Sequence, residues 1–139
     1  MKTSRKLISG LIMGVLVYQL VYAQGSNTQA LQQQGFEIAH QLNEFAEQNE
    51  ANLCSGDILV AAAYIKLAAH ELTMKKHPSA LTSLAYGQYE LKEISNSRAY
   101  CTNFATQMKP YFDKVSLIKK ELEREPVPET DELPDSCIK

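Results

Sequence analysis

Residues 54–72, "CSGDILVAAAYIKLAAHEL", decide how this chain is read. On a helix drawn from Ile58 to Leu72, apolar side chains fall on almost every side, interrupted chiefly by Lys66, His70 and Glu71. A helix apolar all round belongs at the centre of a helical domain, and its five alanines let neighbouring helices come close. Ser55 is placed to cap the first turn and Asp57 to complement the positive end of the helix dipole. The helix is expected to stop at Lys75-Lys76-His77-Pro78, where cations meet the negative dipole end and proline cannot continue the hydrogen-bond ladder.

The same three-and-four spacing extends in both directions. Towards the N-terminus, Leu31, Gly35, Ile38, Leu42 and Phe45 make the inner stripe of an amphipathic helix, with Asn27 or Thr28 as its cap. Towards the C-terminus, Pro78 suits the first turn of a third helix whose inner residues are Leu81, Leu84, Ala85, Leu91 and Ile94. Gly87, in the middle of that helix, weakens it by about 1 kcal/mol relative to alanine, so it marks a close backbone approach. A fourth helix is expected from Arg98 to Arg124, burying Cys101, Phe104, Ala105, Met108, Phe112, Val115, Ile118 and Leu122, with a kink at Pro110. No stretch alternates as a strand does. Short connections make consecutive helices antiparallel neighbours. The expected fold is therefore all-α, an up-down-up-down four-helix bundle over residues 24–124.

The two ends read differently. Residues 1–23, "MKTSRKLISGLIMGVLVYQLVYA", carry Lys2, Arg5 and Lys6 ahead of an apolar run, then Val21-Tyr22-Ala23 as a cleavage site. That is the pattern of a secretory signal peptide, cut before Gln24. Its apolar run is short for a span of about 20 residues, so the expected mature chain is exported, to the periplasm or the exterior, without a membrane span. Residues 125–139 are acidic and proline-rich with little to bury, and read as a disordered tail. From Gln24 onward, 16 acids oppose 11 bases, a balance that speaks against a general nucleic-acid binder.

Three cysteines carry the strongest chemical signal. In the expected topology the second and fourth helices start at the same end of the bundle, which puts Cys54 and Cys101 at one height. In an oxidising compartment that juxtaposition predicts a disulfide. Cys137 is left over in the tail: unpaired, linking two chains into a dimer, or exchanging into a bond with Cys54 or Cys101. No C-x-x-C pair suggests zinc, and His70-Glu71 lacks the second histidine of a zinc-protease helix. His40 and His70 would need carboxylates from several helices to build a metal site in the core.

At the pole opposite the cysteines the second and fourth helices both end. That gathers Lys75, Lys76, His77, Lys119 and Lys120 beside the start of the third helix, where free N–H groups also attract anions. The sequence thus points to a small exported helical protein that binds a protein partner or an anionic lipid or ligand at this pole, without catalysis and without a cofactor. The alternative is a carrier of a ligand or metal within the bundle. A third expected use of the pole is to hold the chain's own acidic tail.

Overall fold

A computed structural model describes the backbone from Ser9 to Glu125 and the side chains from Asn27 to Glu125. Four helices, α1 (Ser9–Gln48), α2 (Cys54–Thr73), α3 (His77–Asn96) and α4 (Ala105–Arg124), follow one another, with a 3-10 turn over Ala99–Phe104 before α4. Each packs on the next, and α1 meets α4 to close an all-α bundle. The side chains of residues 1–23 and 126–139, where the leader and most of the acidic tail were read, lie outside the described residues.

Leu31, Ile38 and Leu42 of α1, Ile58, Ile65 and Leu72 of α2, Leu84, Leu91 and Ile94 of α3, and Met108, Val115, Ile118 and Leu122 of α4 form one core. Small residues set how closely the helices sit. A Cβ on Gly35 would come 3.1 Å from Ala69 Cβ, and one on Gly87 would come 2.8 Å from Ile65 Cγ1. The backbones of α1 and α3 therefore both rest on α2 at the points where glycine faces it. Polar pairs add cross-ties: Ser83 donates to Glu71 between α3 and α2, and Gln88 donates to Ser116 between α3 and α4.

The helix starts depart from expectation. α1 does not begin at Asn27 or Thr28. Its helix starts at Ser9 and runs through them, so neither acts as a cap. Ser55 does not cap α2, because Asn52 Oδ1 accepts the Cys54 N–H at 2.9 Å and the Ser55 hydroxyl turns back towards the Glu50 carbonyl. On the inner stripe expected of α3, Ala85 is exposed.

Among the described residues helix α2 is not surrounded. It packs against α1 and α3, and the side facing away from both stays open, leaving Leu59, Val60 and Leu67 partly in solvent. The chain over Ala99–Phe104 is 3-10 rather than α-helical. At three residues per turn, positions i and i+3 eclipse, and this lines up Cys101 and Phe104, both buried, towards Cys54 and Phe45. α4 runs on through Pro110, whose missing donor falls on a solvent-facing stretch that also includes Thr106.

Candidate functional site

The C-terminus of α2 turns sharply into α3. Lys76 N–H donates to the Glu71 carbonyl and Lys75 N–H to that of Leu72, while Lys75 takes φ 57°. Those two bonds around a left-handed residue are the Schellman arrangement, in which glycine normally occupies the place of Lys75. The turn pushes Lys75 and Lys76 outward and drops His77, the first residue of α3, into a largely buried position. Pro78 follows in the first turn, where its missing N–H has no helical acceptor to lose.

Arriving from the other side, α4 ends at Arg124 because Glu125 precedes Pro126. A residue before proline is driven out of the helical region, and Glu125 accordingly takes ψ 133°. Its carboxylate swings back onto the pole. Asn27 Nδ2 donates to Oε1 at 2.8 Å, Thr28 Oγ1 donates to Oε2 at 2.9 Å, and His77 Nδ1 stands 3.8 Å from Oε2. Glu125, read as the first residue of a loose tail, is thus a fixed part of the bundle, and the two residues expected to cap α1 hold it there.

The five residues singled out at this pole fare differently. Lys75, Lys76 and Lys120 are exposed and have no ion-pair partner among the described residues. Lys119 pairs with Glu123 one turn along α4. His77 is buried and faces Glu125 rather than solvent. The other histidines do not converge with it: His40 is exposed beside Glu44, and His70 lies edge-on to Phe36 with ring centres 4.8 Å apart.

At the opposite pole Cys54 and Cys101 form the expected disulfide, with Cα atoms 5.1 Å apart and both residues fully buried. Above it sits a polar cluster that periodicity alone did not reveal. Arg98 Nη2 donates to Glu90 Oε2 at 2.8 Å. Its Nη1 lies 2.8 Å from Asp57 Oδ1 but without hydrogen-bond alignment, so that contact is a charge pairing. Tyr100 donates its hydroxyl to Asp57 Oδ2 at 2.8 Å. Partial burial works to lower the Arg98 pKa, but the Glu90 hydrogen bond and the charges of Glu90 and Asp57 outweigh it and hold the guanidinium above its ordinary value. The hydrogen bond to Asp57 raises the Tyr100 phenol, with desolvation and the Asp57 charge acting in the same sense.

Asp57 also approaches Cys101 Sγ to 3.8 Å, but both sulfurs of this group are joined to each other and offer no thiolate to a metal. Along the bundle axis the space is filled by fully buried side chains such as Leu42, Ile65, Leu91 and Met108. A groove of about 400 Å³ lies outside it, between the end of α3 and the start of α4, lined by Lys92, Asn96, Thr106, Lys109 and Phe112 among others. Among the described residues no helix is long and apolar enough to cross a membrane. No protein family, curated protein or solved structure matches the chain.

Proposed function

We propose that this chain is a small exported helical binding protein, periplasmic or secreted, that acts without catalysis by engaging an acidic partner at its lysine-bearing pole. The observation that carries this reading is Glu125. A carboxylate on an extended segment rests there against Asn27, Thr28 and His77, and the reading takes that contact as its pattern for an acidic partner. Lys75 and Lys76, which precede His77, and Lys120, on the last turns of α4, are exposed, and in this reading they meet further acids on the same or another chain. The buried Cys54–Cys101 bridge supports an oxidising compartment.

Co-purification from the exported fraction tests the proposal, comparing wild type with a Lys75/Lys76/Lys119/Lys120→Glu variant across a salt series. The reading expects an acidic protein retained by wild type, released by salt and lost in the variant. Anionic vesicles run in parallel separate a lipid headgroup from a protein. Equal retention of both chains on every acidic probe removes the proposal.

A further inference from the structure

Of the five large apolar side chains exposed on α2 and its flanks, Leu59 stands apart and the other four form a series. Leu53, Val60, Leu67 and Met74 are 83%, 44%, 46% and 54% exposed, and they recur every seven residues along the chain. A seven-residue repeat keeps side chains on one slowly winding stripe of a helix, the seam along which two helices pair. Between them, at the intervening position of the heptad, come Gly56, Ala63 and His70, all exposed. The seam is flanked by the stacked rings of Tyr64 and Tyr86 on the α3 side, and by Phe36 against His70 on the α1 side.

Gly56 fits the same seam. Gly35 and Gly87 are explained by neighbouring helices that a Cβ would strike, whereas a Cβ on Gly56 would meet nothing within 4 Å. Glycine weakens a helix relative to alanine, and nothing in the packing of the described residues calls for it. With Ala63 it opens the middle of the seam to the backbone of another helix.

Charge then selects the occupant. Glu47 and Glu50 are exposed beside the N-terminal end of α2, while Lys66, Lys75 and Lys76 are exposed along its C-terminal half and just beyond it. A second α2 laid antiparallel sets the acidic end of each copy over the basic end of the other and opposes the two helix dipoles. A parallel arrangement would stack like on like. The antiparallel pairing is generated by a two-fold axis crossing α2 near Ala63, so the same surface serves both copies.

We propose that this chain forms a symmetric dimer in which two α2 helices pack antiparallel along Leu53, Val60, Leu67 and Met74, with Gly56 and Ala63 admitting close approach. The contact needs no Cys137 bridge and lies along the flank of α2, sharing only Lys75 and Lys76 with the pole.

Sedimentation equilibrium on the full chain and on its Cys137→Ser variant tests it. Both are expected to be dimers. Leu67→Glu and Ala63→Arg are expected to be monomers with unchanged helix content, since both sites are exposed. Gly56→Gln should weaken association at least tenfold while raising the thermal midpoint of the dilute monomer, a combination that damage to the fold does not produce. In the Cys137→Ser background, a Val60→Cys chain mixed with a Leu67→Cys chain should crosslink to the other chain in preference to itself. A monomer at every concentration overturns the proposal, including one that engages another protein or a lipid surface through α2. So does a dimer indifferent to the seam variants, or a preference for like-with-like crosslinks.

Discussion

His77 Nδ1 lies 3.8 Å from Glu125 Oε2, and through that pair the residue that opens α3 meets the residue that closes α4. Because Asn27 and Thr28 hold the same carboxylate, one side chain ties three helices at one pole. Hydrogen bonds to a charged acceptor contribute about 1.5–3 kcal/mol at full strength, and this site is partly open to water. Glu125→Ala is therefore expected to lower stability by about 1 kcal/mol, with Glu125→Gln losing less because its amide oxygen still accepts one bond. Chemical denaturation of the two variants beside wild type measures it, and a Glu125→Ala midpoint equal to wild type would show the clasp to be energetically idle.

The bridge at the other pole stabilises the fold more than this clasp does. Cys54 and Cys101 are separated by 47 residues in sequence, and releasing that loop restores entropy to the unfolded chain worth about 4 kcal/mol by loop closure. Reduction, or the Cys54→Ser/Cys101→Ser pair, should lower the thermal midpoint by roughly 20 °C for a domain of this size. Calorimetry with and without reductant reads this directly. Cys137→Ser alone should leave the midpoint where it was.

Lys75 bears a backbone conformation that glycine adopts freely. At φ 57° its Cβ crowds the backbone, which disfavours an L-residue by roughly 1–2 kcal/mol. Lys75→Gly should thus stabilise the fold by about 1 kcal/mol after the extra entropy of glycine in the unfolded chain is subtracted. Lys75→Val should destabilise it. The two shifts must differ in sign in the same urea titration, since identical shifts would mean that backbone conformation does not control this turn.

These poles also show what the sequence made legible. The helix count, the core stripes and the Cys54–Cys101 pairing followed from spacing, because periodicity and topology act on every residue of a helix at once. Glu125 did not follow. Its place depends on a pre-proline turn and on Asn27 and Thr28, 98 and 97 residues away, and side chains that distant leave no periodic trace. The exposure of α2 was missed for a related reason. Apolarity on every side of a helix reports that each side meets something apolar, and does not say whether that neighbour belongs to the same chain. The grouping of Arg98, Asp57 and Glu90 escaped notice because each reads singly as an ordinary charged residue of a helix.

Tyr100 gives the protein an alkaline signature. Its phenol, hydrogen-bonded to Asp57, binds its proton more tightly in the folded chain than in the unfolded one. The contribution is complete below the unfolded value of about 10 and is lost as pH rises through the higher folded value. Stability should therefore fall more steeply above pH 10 in wild type than in Tyr100→Phe. Ultraviolet titration should show Tyr100 losing its proton above the ordinary tyrosine value, as the transition absent from Tyr100→Phe, and Asp57→Asn should bring it down. A Tyr100 transition unmoved by Asp57→Asn would contradict the hydrogen bond.

Gly87 and Ile65 set two local preferences against each other, and their balance can be measured. Replacing Gly87 with alanine improves helix propensity by about 1 kcal/mol, but the new Cβ would stand 2.8 Å from Ile65 Cγ1, with the Ala61 carbonyl at 3.5 Å behind it. Ile65 is fully buried, so it has little room to yield, and overpacking of this kind costs about 1–3 kcal/mol. Gly87→Ala should lose about 1 kcal/mol overall, and Gly87→Val clearly more, because a branched side chain meets the same wall. Shortening the obstacle tests the cause. In an Ile65→Ala background the Cγ1 atom is gone, and Gly87→Ala should there become neutral or stabilising. A double-mutant cycle in urea isolates that coupling; additive effects would mean that α2 and α3 are not in contact at this point, and that the glycine has some other reason to be there.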